Sequence, residues 1–173
     1  MKLLKIIQFP NSVLFSKTQT VTEFNNDIGE LIDNLIYTSK YYDNCVGLAA
    51  IQVGIPLKLA VLKSGTKYIA IINPEIVHKS EELSQDWEGC MSVGVGDNQL
   101  YSKVARSENI IVKYQDRNGV ETTKNAKGFL AHIFQHEIDH MNGKLFLSYV
   151  SDPKQIWKEK DLNRYIKINN SMP

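Results

Sequence analysis

The chain has 173 residues, which is long enough to bury a sizeable core, and we interpret residues 1–173 as one domain. Lys and Arg number 20 against 19 Asp and Glu, so the net charge of +1 gives no direct signal for binding nucleic acid or an anionic membrane. No run approaches the roughly 20 apolar residues of a membrane span, and the N-terminus lacks a signal-peptide pattern. Two cysteines, Cys45 and Cys90, are too few for a disulfide framework, so we expect a cytoplasmic protein with no membrane partner.

The first half of the chain predicts one helix and two strands. Residues 27–42 repeat apolar side chains at helical spacing, which is typical of an amphipathic helix with one face on a core. The small apolar segment 45–54, CVGLAAIQVG, is too interrupted by glycine for an ordinary helix and favours a loop or a strand edge. The segments LKLAVL (57–62) and YIAIIN (68–73) are typical of buried strands, and Pro74 is expected to close the second.

The second half predicts a hairpin and two helices. The segment NIIVKYQDRNGVETTK alternates on both sides of Asn118-Gly119, a pair that suits a type I′ turn. Residues 128–143 change to helical periodicity, and their final Asn-Gly pair is a helix stop signal. Asp152-Pro153 suits an N-cap and the first position of a last helix. Together these elements predict an α+β fold, with strands around a central helix and helices near both ends of the chain.

Residues 136–140 read His-Glu-Ile-Asp-His, the HExxH pattern of metal-dependent hydrolases. On a helix, His136 and His140 lie one turn apart on the same face, so both imidazoles can reach one cation. Glu137 lies beside the first ligand, where its carboxylate can act on a water at the metal. The alternative is a pair of ordinary histidines on an acidic helix, but two of only four histidines have this spacing with Glu in the general-base position. The pattern indicates a metal, a water and a base, and is typical of proteases.

The third metal ligand decides between classes of hydrolase. Proteases with this pattern take it from a downstream Glu or His, but no histidine follows His140. The downstream carboxylates that remain as alternatives are Asp152, Glu159 and Asp161. Upstream, Cys90 lies in the polar, tight-turning segment WEGCMSV, whereas a structural cysteine is more often in an apolar strand. A Cys90 thiolate together with His136 and His140 would leave one coordination position open for water.

Three segments resemble the three motifs of the peptide deformylases, in the family's order: CVGLAAIQ (45–52), EGCMS (88–92) and QHEIDH (135–140). That family removes the formyl group from the N-terminal formyl-methionine of new bacterial and organellar proteins and releases formate. The resemblance implies antiparallel sheets around the HExxH helix. It also implies one divalent metal ion, with Fe²⁺ as the usual native ion and Zn²⁺, Ni²⁺ or Co²⁺ as substitutes. The partners would be N-formyl-methionyl nascent peptides and the ribosome near its exit.

The resemblance also implies a role for each matching residue. The metal ligands would be Cys90, His136 and His140. A metal-bound water has its pKa lowered towards about 7, and Glu137 would take its proton as a base and return it to the departing amine as an acid. The Gln52 side-chain amide and the Met91 backbone N–H match the family's stabilisers of the developing oxyanion. The substrate-binding positions would be Val46, Gly47, Gly89, Arg106, His132 and Ile133.

Three of these substrate positions carry specific expectations. At Gly47, a Cβ would obstruct an extended peptide that lies as an added strand. Arg106 resembles a family arginine that binds the substrate backbone near the entrance, although an arginine before a strand is also typical of a solvated surface. His132 occupies a position where the family has an aliphatic residue in its methionine pocket. An imidazole there could line the pocket, hydrogen-bond a metal ligand or add a fourth ligand.

The chain departs from the family pattern at further places, including Ile51, where proline or a small residue is common. Cys45 stands where the first motif usually has glycine, which brings a second thiol towards the site. The segment 91–105 is longer than its family counterpart, and its glycines predict a mobile rim at 94–103. None of these departures removes a ligand or the base.

Two other functions fit parts of the pattern. One is a HExxH metalloprotease with a downstream carboxylate ligand. The other is a non-catalytic module that binds formyl-peptides without turnover. A complete ligand set together with Glu137 argues against the second.

Overall fold

The computed structural model describes residues 1–42 and 44–172, and within these ranges it contains three α-helices and eight β-strands. The helices are α1 (Asn26–Tyr41), α2 (Phe129–Met141) and α3 (Glu159–Asn169). The strands are β1 (Gly47–Ala49), β2 (Leu59–Ser64), β3 (Lys67–Lys79), β4 (Leu83–Gly89), β5 (Leu100–Ser107), β6 (Asn109–Gln115), β7 (Glu121–Lys127) and β8 (Trp157–Lys158). The predicted α+β class is confirmed, whereas the single domain over 1–173 stays a prediction that includes residues outside the described ranges.

The strands form two sheets. The larger sheet has the order β1-β2-β3-β6-β7, and the smaller has the order β4-β5-β8. Every pairing between these strands is antiparallel, as predicted. In β6 the buried residues Ile110, Val112 and Tyr114 alternate along the strand, so they form an apolar face on one side of the larger sheet.

Helix α2 covers this apolar face. Its residues Ala131, Phe134 and Ile138 belong to the same buried cluster as Ile110 and Val112 of β6. The helix packs against β1, β2 and β7 of the larger sheet and against β5 of the smaller one. Full burial of a Phe or Ile side chain stabilises a protein by about 1.5–3 kcal/mol. This packing therefore fixes the rotation of α2 about its axis, and hence the direction of its polar residues.

Both ends of α2 have clear local causes. The helix starts directly after Gly128, which has a φ of 58°. At the other end, Asn142 donates its backbone N–H to the carbonyl of Ile138 (3.1 Å), and Gly143 adopts the left-handed conformation with a φ of 69°. The predicted stop at the Asn-Gly pair is confirmed.

The N-terminal half follows the predicted helix and strand edge. Helix α1 is capped by the Asn25 side chain, and its buried residues Ile32 and Leu35 share a cluster with Leu48 of β1 and Leu59 of β2. Strand β1 is the terminal strand of the larger sheet and continues into a short 3-10 turn. Within residues 1–42 and 44–172, one backbone edge of β1 therefore has no strand partner.

Strand β3 does not end at Pro74 and continues to Lys79, so the expected stop is wrong. The register between β3 and β6 shifts between Ile72 and Glu75, and Asn73 has a φ of 50°. Proline lacks a backbone N–H, but the bulge at this point has already interrupted the ladder of hydrogen bonds. The strand can therefore accommodate Pro74.

Strands β6 and β7 form the predicted hairpin, but its turn is not the predicted two-residue type I′ turn. Gly119 has a φ of 80°, whereas Asn118 lacks the positive φ that such a turn requires. The Asp116 carboxylate accepts hydrogen bonds from the backbone N–H of Asn118 (2.8 Å) and of Val120 (3.0 Å). Asp116 thus organises a wider turn through its side chain.

The expected mobile rim at 94–103 is partly a strand. Strand β5 begins at Leu100 and pairs with both β4 and β8, so its backbone is hydrogen-bonded on two sides. Before it, Gly94 has a φ of 85°, and a Cβ there would lie 2.2 Å from the carbonyl oxygen of Asn98. This segment is therefore a tight turn followed by a central strand.

The last helix begins later than predicted. Asp152 caps only the short 3-10 turn Pro153–Gln155, and the chain then becomes extended in β8. Because β8 pairs with β5, the backbone of Trp157 and Lys158 is committed to a sheet, and α3 starts at Glu159. Among the described residues, none of the helices combines the length and apolarity that crossing a bilayer requires.

Candidate active site

Three candidate metal ligands converge where the end of β4 meets α2. The Sγ atom of Cys90 lies 3.3 Å from Nε2 of His140, and this nitrogen lies 3.2 Å from Nε2 of His136. All three donor atoms lie within 4.8 Å of one another. Within residues 1–42 and 44–172 no other group of His, Cys, Asp and Glu forms such a cluster. The downstream carboxylates considered above, Asp152, Glu159 and Asp161, do not join it.

The chemistry of these three side chains fits a divalent cation. Thiolate and imidazole ligands bind at about 2.3 and 2.0–2.1 Å, and tetrahedral angles then place donor atoms about 3.4–3.6 Å apart, close to the observed spacing. Nδ1 of His136 lies 2.9 Å from Oε2 of Glu88. Because an ionised carboxylate only accepts hydrogen bonds, Nδ1 carries the proton, and the lone pair of Nε2 faces Cys90 and His140.

Glu88 is the centre of a buried network of charges. Arg106 donates from Nε to Oε1 of Glu88 and from Nη2 to Oε2 (2.9 Å). Nδ1 of His132 lies 3.4 Å from Oε1. Burial alone would raise the pKa of Glu88, but the hydrogen bonds from Arg106 and His136 and the nearby ring of His132 outweigh it and hold the pKa well below its usual range. Glu88 therefore stays ionised and orients His136.

Replacing Glu88 by glutamine should change how stability depends on pH. A depressed folded-state pKa contributes stability that is present above the unfolded value of about 4.3 and is lost as pH falls towards the lower folded-state pKa. We therefore expect the free energy of unfolding of Glu88→Gln to be roughly 3 kcal/mol below that of the wild type at pH 7. On acidification, the free energy of unfolding should fall less in Glu88→Gln than in the wild type. Urea unfolding of the metal-free proteins between pH 7 and pH 3 measures this. The exposed Glu81→Gln is the control, and parallel pH profiles for Glu88→Gln and the wild type would contradict the expectation.

Glu137 points into the cavity beside the ligands. The side chain is buried, and its Oε2 atom has no hydrogen-bond partner among the described residues. Burial, helped by the nearby charge on Glu88, raises the pKa of Glu137 to about 7 against the opposing effects of His136 and Arg106. A carboxylate with a pKa near neutrality is suited to taking a proton from water and returning it.

Gly47 makes room for Glu137. A Cβ at position 47 would lie 2.2 Å from Oε1 of Glu137 and 2.8 Å from its Cδ. The glycine was expected to make room for an extended peptide, so the structure adds a second and closer reason for the absence of a side chain. The first motif and the Glu137 carboxylate are thus in direct contact.

Gly47→Ala should lower turnover without removing the metal. The added methyl group displaces the Glu137 carboxylate, and a misplacement of about 1 Å can cost about 100-fold in rate. Formate release and metal content, measured on the same preparation, test this expectation. Gly29→Ala in α1 is the matched control, because the nearest atom to its added Cβ is 4.0 Å away. An unchanged kcat for Gly47→Ala would contradict the role.

The two predicted oxyanion donors are held next to Cys90. Oε1 of Gln52 accepts the backbone N–H of Ala49 (2.8 Å), which turns its Nε2 towards Oγ of Ser92 (3.1 Å). The carbonyl of Met91 accepts a hydrogen bond from Nε2 of Gln8 (2.8 Å), which fixes the orientation of this residue. Gln52 and Met91 both line the active-site cavity, whose volume is about 380 Å³.

Most of the predicted substrate-binding residues also line this cavity. They are Val46, Gly47, Gly89, His132 and Ile133. Nε2 of His132 lies 3.1 Å from Oγ of Ser84, and its other ring nitrogen faces Glu88. His132 is therefore a neighbour of the ligand network and not part of the metal cluster. At Gly89, a Cβ would lie 2.3 Å from the ring of Tyr101, so this glycine makes room for an aromatic wall.

Arg106 is not at the entrance of the cavity, so both expectations for it are wrong. The side chain is 5% exposed and does not line the cavity. Besides Glu88, it binds Oδ2 of Asp139 (2.7 Å), and its guanidinium lies 4.9 Å from the ring centre of Tyr149. A buried arginine whose Nε, Nη1 and Nη2 atoms all bind carboxylates is held inside the protein by these ion pairs and is not placed to bind a peptide at the entrance.

Cys45 is close to the site but does not act as a ligand. Its Sγ donates a hydrogen bond to the carbonyl of Gly47 (3.2 Å), and burial raises the pKa of the thiol to about 12. A protonated, buried thiol is a poor ligand and a poor nucleophile.

Sequence reasoning missed several residues of the site. Trp87, Tyr101 and Phe129 line the cavity, and Asp139 completes the charge network. Helix α3 supplies another part of the wall, including Leu162 and Ile166. The only signal for the last two was their helical spacing, which predicted a buried face but not what it faces.

One cysteine and two histidines whose donor atoms converge beside a buried carboxylate are the site of a metal-dependent hydrolase. Residues 3–156 match the family model described as "Polypeptide deformylase". The chain belongs to this family, which confirms the resemblance seen in its three motifs.

Relatives with known names and structures agree with this assignment. The chain is 38% identical to the peptide deformylase of Campylobacter jejuni over 92% of its own length and 93% of the relative. It is 41% identical to the peptide deformylase of Rhizobium meliloti over 87% of its own length and 86% of the relative. The crystal structure of the Thermotoga maritima enzyme superposes with a TM-score of 0.82 at 36% identity, covering 88% of this chain and 100% of that one. The crystal structure of the Ehrlichia chaffeensis enzyme in complex with actinonin superposes with a TM-score of 0.82 at 32% identity, covering 99% of this chain and 100% of that one.

Proposed function

We propose that this protein is a metal-dependent peptide deformylase that removes the formyl group from N-terminal formyl-methionine of newly made proteins. The observation that carries the proposal is the buried cluster of Cys90, His136 and His140 beside Glu137. Membership of the polypeptide deformylase family supports the same reaction.

Cys90, His136 and His140 would hold the metal, and α2 would be the central helix that carries the HExxH pattern. A divalent cation in this position lowers the pKa of water and polarises a carbonyl group. Glu88 keeps His136 in the tautomer that exposes its Nε2 lone pair. We assign these roles from the donor set and its geometry.

Glu137 would move the proton that the hydrolysis requires. Water adds its oxygen to the formyl carbon while Glu137 accepts a proton, and the C–N bond then breaks as Glu137 returns the proton to the leaving amine. The products are formate and a free N-terminal amine. The Gln52 amide and the Met91 N–H would donate to the carbonyl oxygen as negative charge develops, and loss of one such donor typically costs about 2.7–4 kcal/mol.

The substrate would lie as an added strand along the free edge of β1, with its backbone next to Val46 and Gly47. The first side chain would enter the part of the cavity lined by His132 and Ile133, and Gly89 would lie near the substrate backbone. We expect the protein to act as a single catalytic domain in the cytoplasm, near the ribosome exit. Both described cysteines are free thiols, which suits a reducing compartment.

The native metal is proposed to be Fe²⁺. Anaerobically purified protein should contain iron, and its activity should decline faster in air than that of the Ni²⁺-substituted protein, because air oxidises Fe²⁺ and the thiolate that binds it. Metal analysis and activity against time in air measure this. Equal lifetimes of the two forms would contradict the assignment of iron.

Formate release from formyl-methionyl peptides tests the function. A deformylase should release formate and leave internal peptide bonds intact, and chelation should abolish its activity. Cleavage of internal bonds would instead favour the metalloprotease, which the absence of a downstream carboxylate from the described ligand cluster argues against. Binding without release of formate would favour a non-catalytic module.

A further inference from the structure

Helix α3 begins after residue 156, where the match to the family model ends. It nevertheless lines the same cavity as the metal ligands and Glu137. The helix residues that do so are Glu159, Leu162, Asn163 and Ile166. Their spacing of three, four and seven residues places them on one face of the helix. One face of α3 is therefore a wall of the active-site cavity.

This wall is anchored to the rest of the protein. Trp157, just before α3, pairs with Tyr101 of β5, and the backbone N–H of Glu159 donates to the carbonyl of Gln99 (2.9 Å). The ring of Trp157 also contacts that of Tyr165 edge to face, with centres 5.4 Å apart. These contacts hold α3 over the strand that follows the Cys90 segment.

Two helices thus contribute different parts of the cavity. Helix α2 supplies Phe129, His132 and Ile133, which lie within two turns of His136. The side chain of the first residue of a formyl-peptide, one nitrogen and one carbon from the reacting formyl group, would meet these residues first. Helix α3, which packs on β8 and on the Gly96–Asn98 turn, forms a separate part of the cavity wall. A peptide that fills the cavity would therefore meet α3 with its later side chains.

We propose that α3 is the specificity wall for the second and third residues of the substrate and favours apolar side chains there. This inference rests on the proposed function. Leu162 is 5% exposed, and together with the partly buried Ile166 it gives the wall an apolar surface. Glu159 places a carboxylate at one end, which disfavours an acidic residue in the peptide. An apolar contact of this size discriminates about tenfold between side chains.

Substitutions in the full-length enzyme test this inference. The ratio of kcat/KM for formyl-Met-Leu-Leu over formyl-Met-Ser-Ser should be about ten in the wild type and should fall towards one in Ile166→Ser, chiefly through KM. Ile168→Ser is the matched control, because Ile168 lies on the same helix, is 71% exposed and does not line the cavity. Asn163→Leu, at an exposed position of the wall, should raise the ratio without risk to the core.

An unchanged ratio in both Ile166→Ser and Asn163→Leu would overturn the inference. A change in the preference for the first residue instead, measured with formyl-Leu peptides, would also overturn it. Failure of the proposed function is distinct, because the wild type would then release no formate. In that case calorimetric titration with Met-Leu-Leu and Met-Ser-Ser still decides whether α3 favours apolar residues at the second and third positions. The wall requires tighter binding of the apolar peptide, and equal affinities would overturn it.

Discussion

Cys90→Ala should lose both the metal and the activity. Two imidazoles alone leave a divalent ion undercoordinated, and the thiolate also supplies the negative charge that compensates the ion. We expect the metal content to fall to a small fraction of the wild-type value, and turnover to fall by about 10³-fold or more, equivalent to roughly 4 kcal/mol. Metal analysis and formate release after anaerobic purification measure both effects.

Cys45→Ala is the matched control for this substitution. Cys45 and Cys90 are equally buried, at 3% exposure each, but Cys45 lies outside the ligand cluster. The Cys45 variant should therefore keep its metal. A Cys90→Ala protein that retained a full complement of metal would refute the ligand assignment and would favour a carboxylate-completed site of the protease type.

Glu137→Gln should keep the metal and lose turnover. The amide has almost the same shape as the carboxylate, so the cavity and the ligands are preserved, but it cannot accept and return a proton. General acid–base catalysis typically contributes 10²–10⁴-fold, and we expect a loss in this range. The measurement is kcat with formyl-methionyl peptides at a confirmed metal content.

Glu81→Gln provides the comparison, because Glu81 is an exposed carboxylate that lies outside both the cavity and the metal cluster. Its substitution should change turnover only slightly. If Glu137→Gln worked at a near-normal rate, Glu137 could not be the base.

The candidate metal site was predictable because most of its information is local. His136, Glu137 and His140 are brought together by helical geometry alone, which a sequence displays directly. Cys90 is 50 residues from His140 in the chain, so the link between them rested on its polar setting and on the resemblance of its segment to a family motif. The α+β class was predictable for a similar reason, since each element carries its own periodicity.

Features that depend on distant partners were not predictable. The position of Arg106 is set by Glu88 and Asp139, which lie on two other elements, so its isolated setting before a strand suggested a surface residue. Pro74 was taken as a strand end because the bulge that accommodates it requires knowledge of the neighbouring strand. The role of α3 is a third case, because an amphipathic pattern does not reveal which surface its apolar face covers.

The placement of the ligands on two separate elements has a consequence for the cell. Cys90 follows β4 of the smaller sheet, whereas both histidines belong to α2, so a bound ion acts as a cross-link between them. An ion that binds the folded protein and not the unfolded chain adds its free energy of binding to the folding stability. Metal starvation would therefore do more than silence the enzyme. It would expose the unfilled protein to proteases, so that its abundance would follow the metal supply.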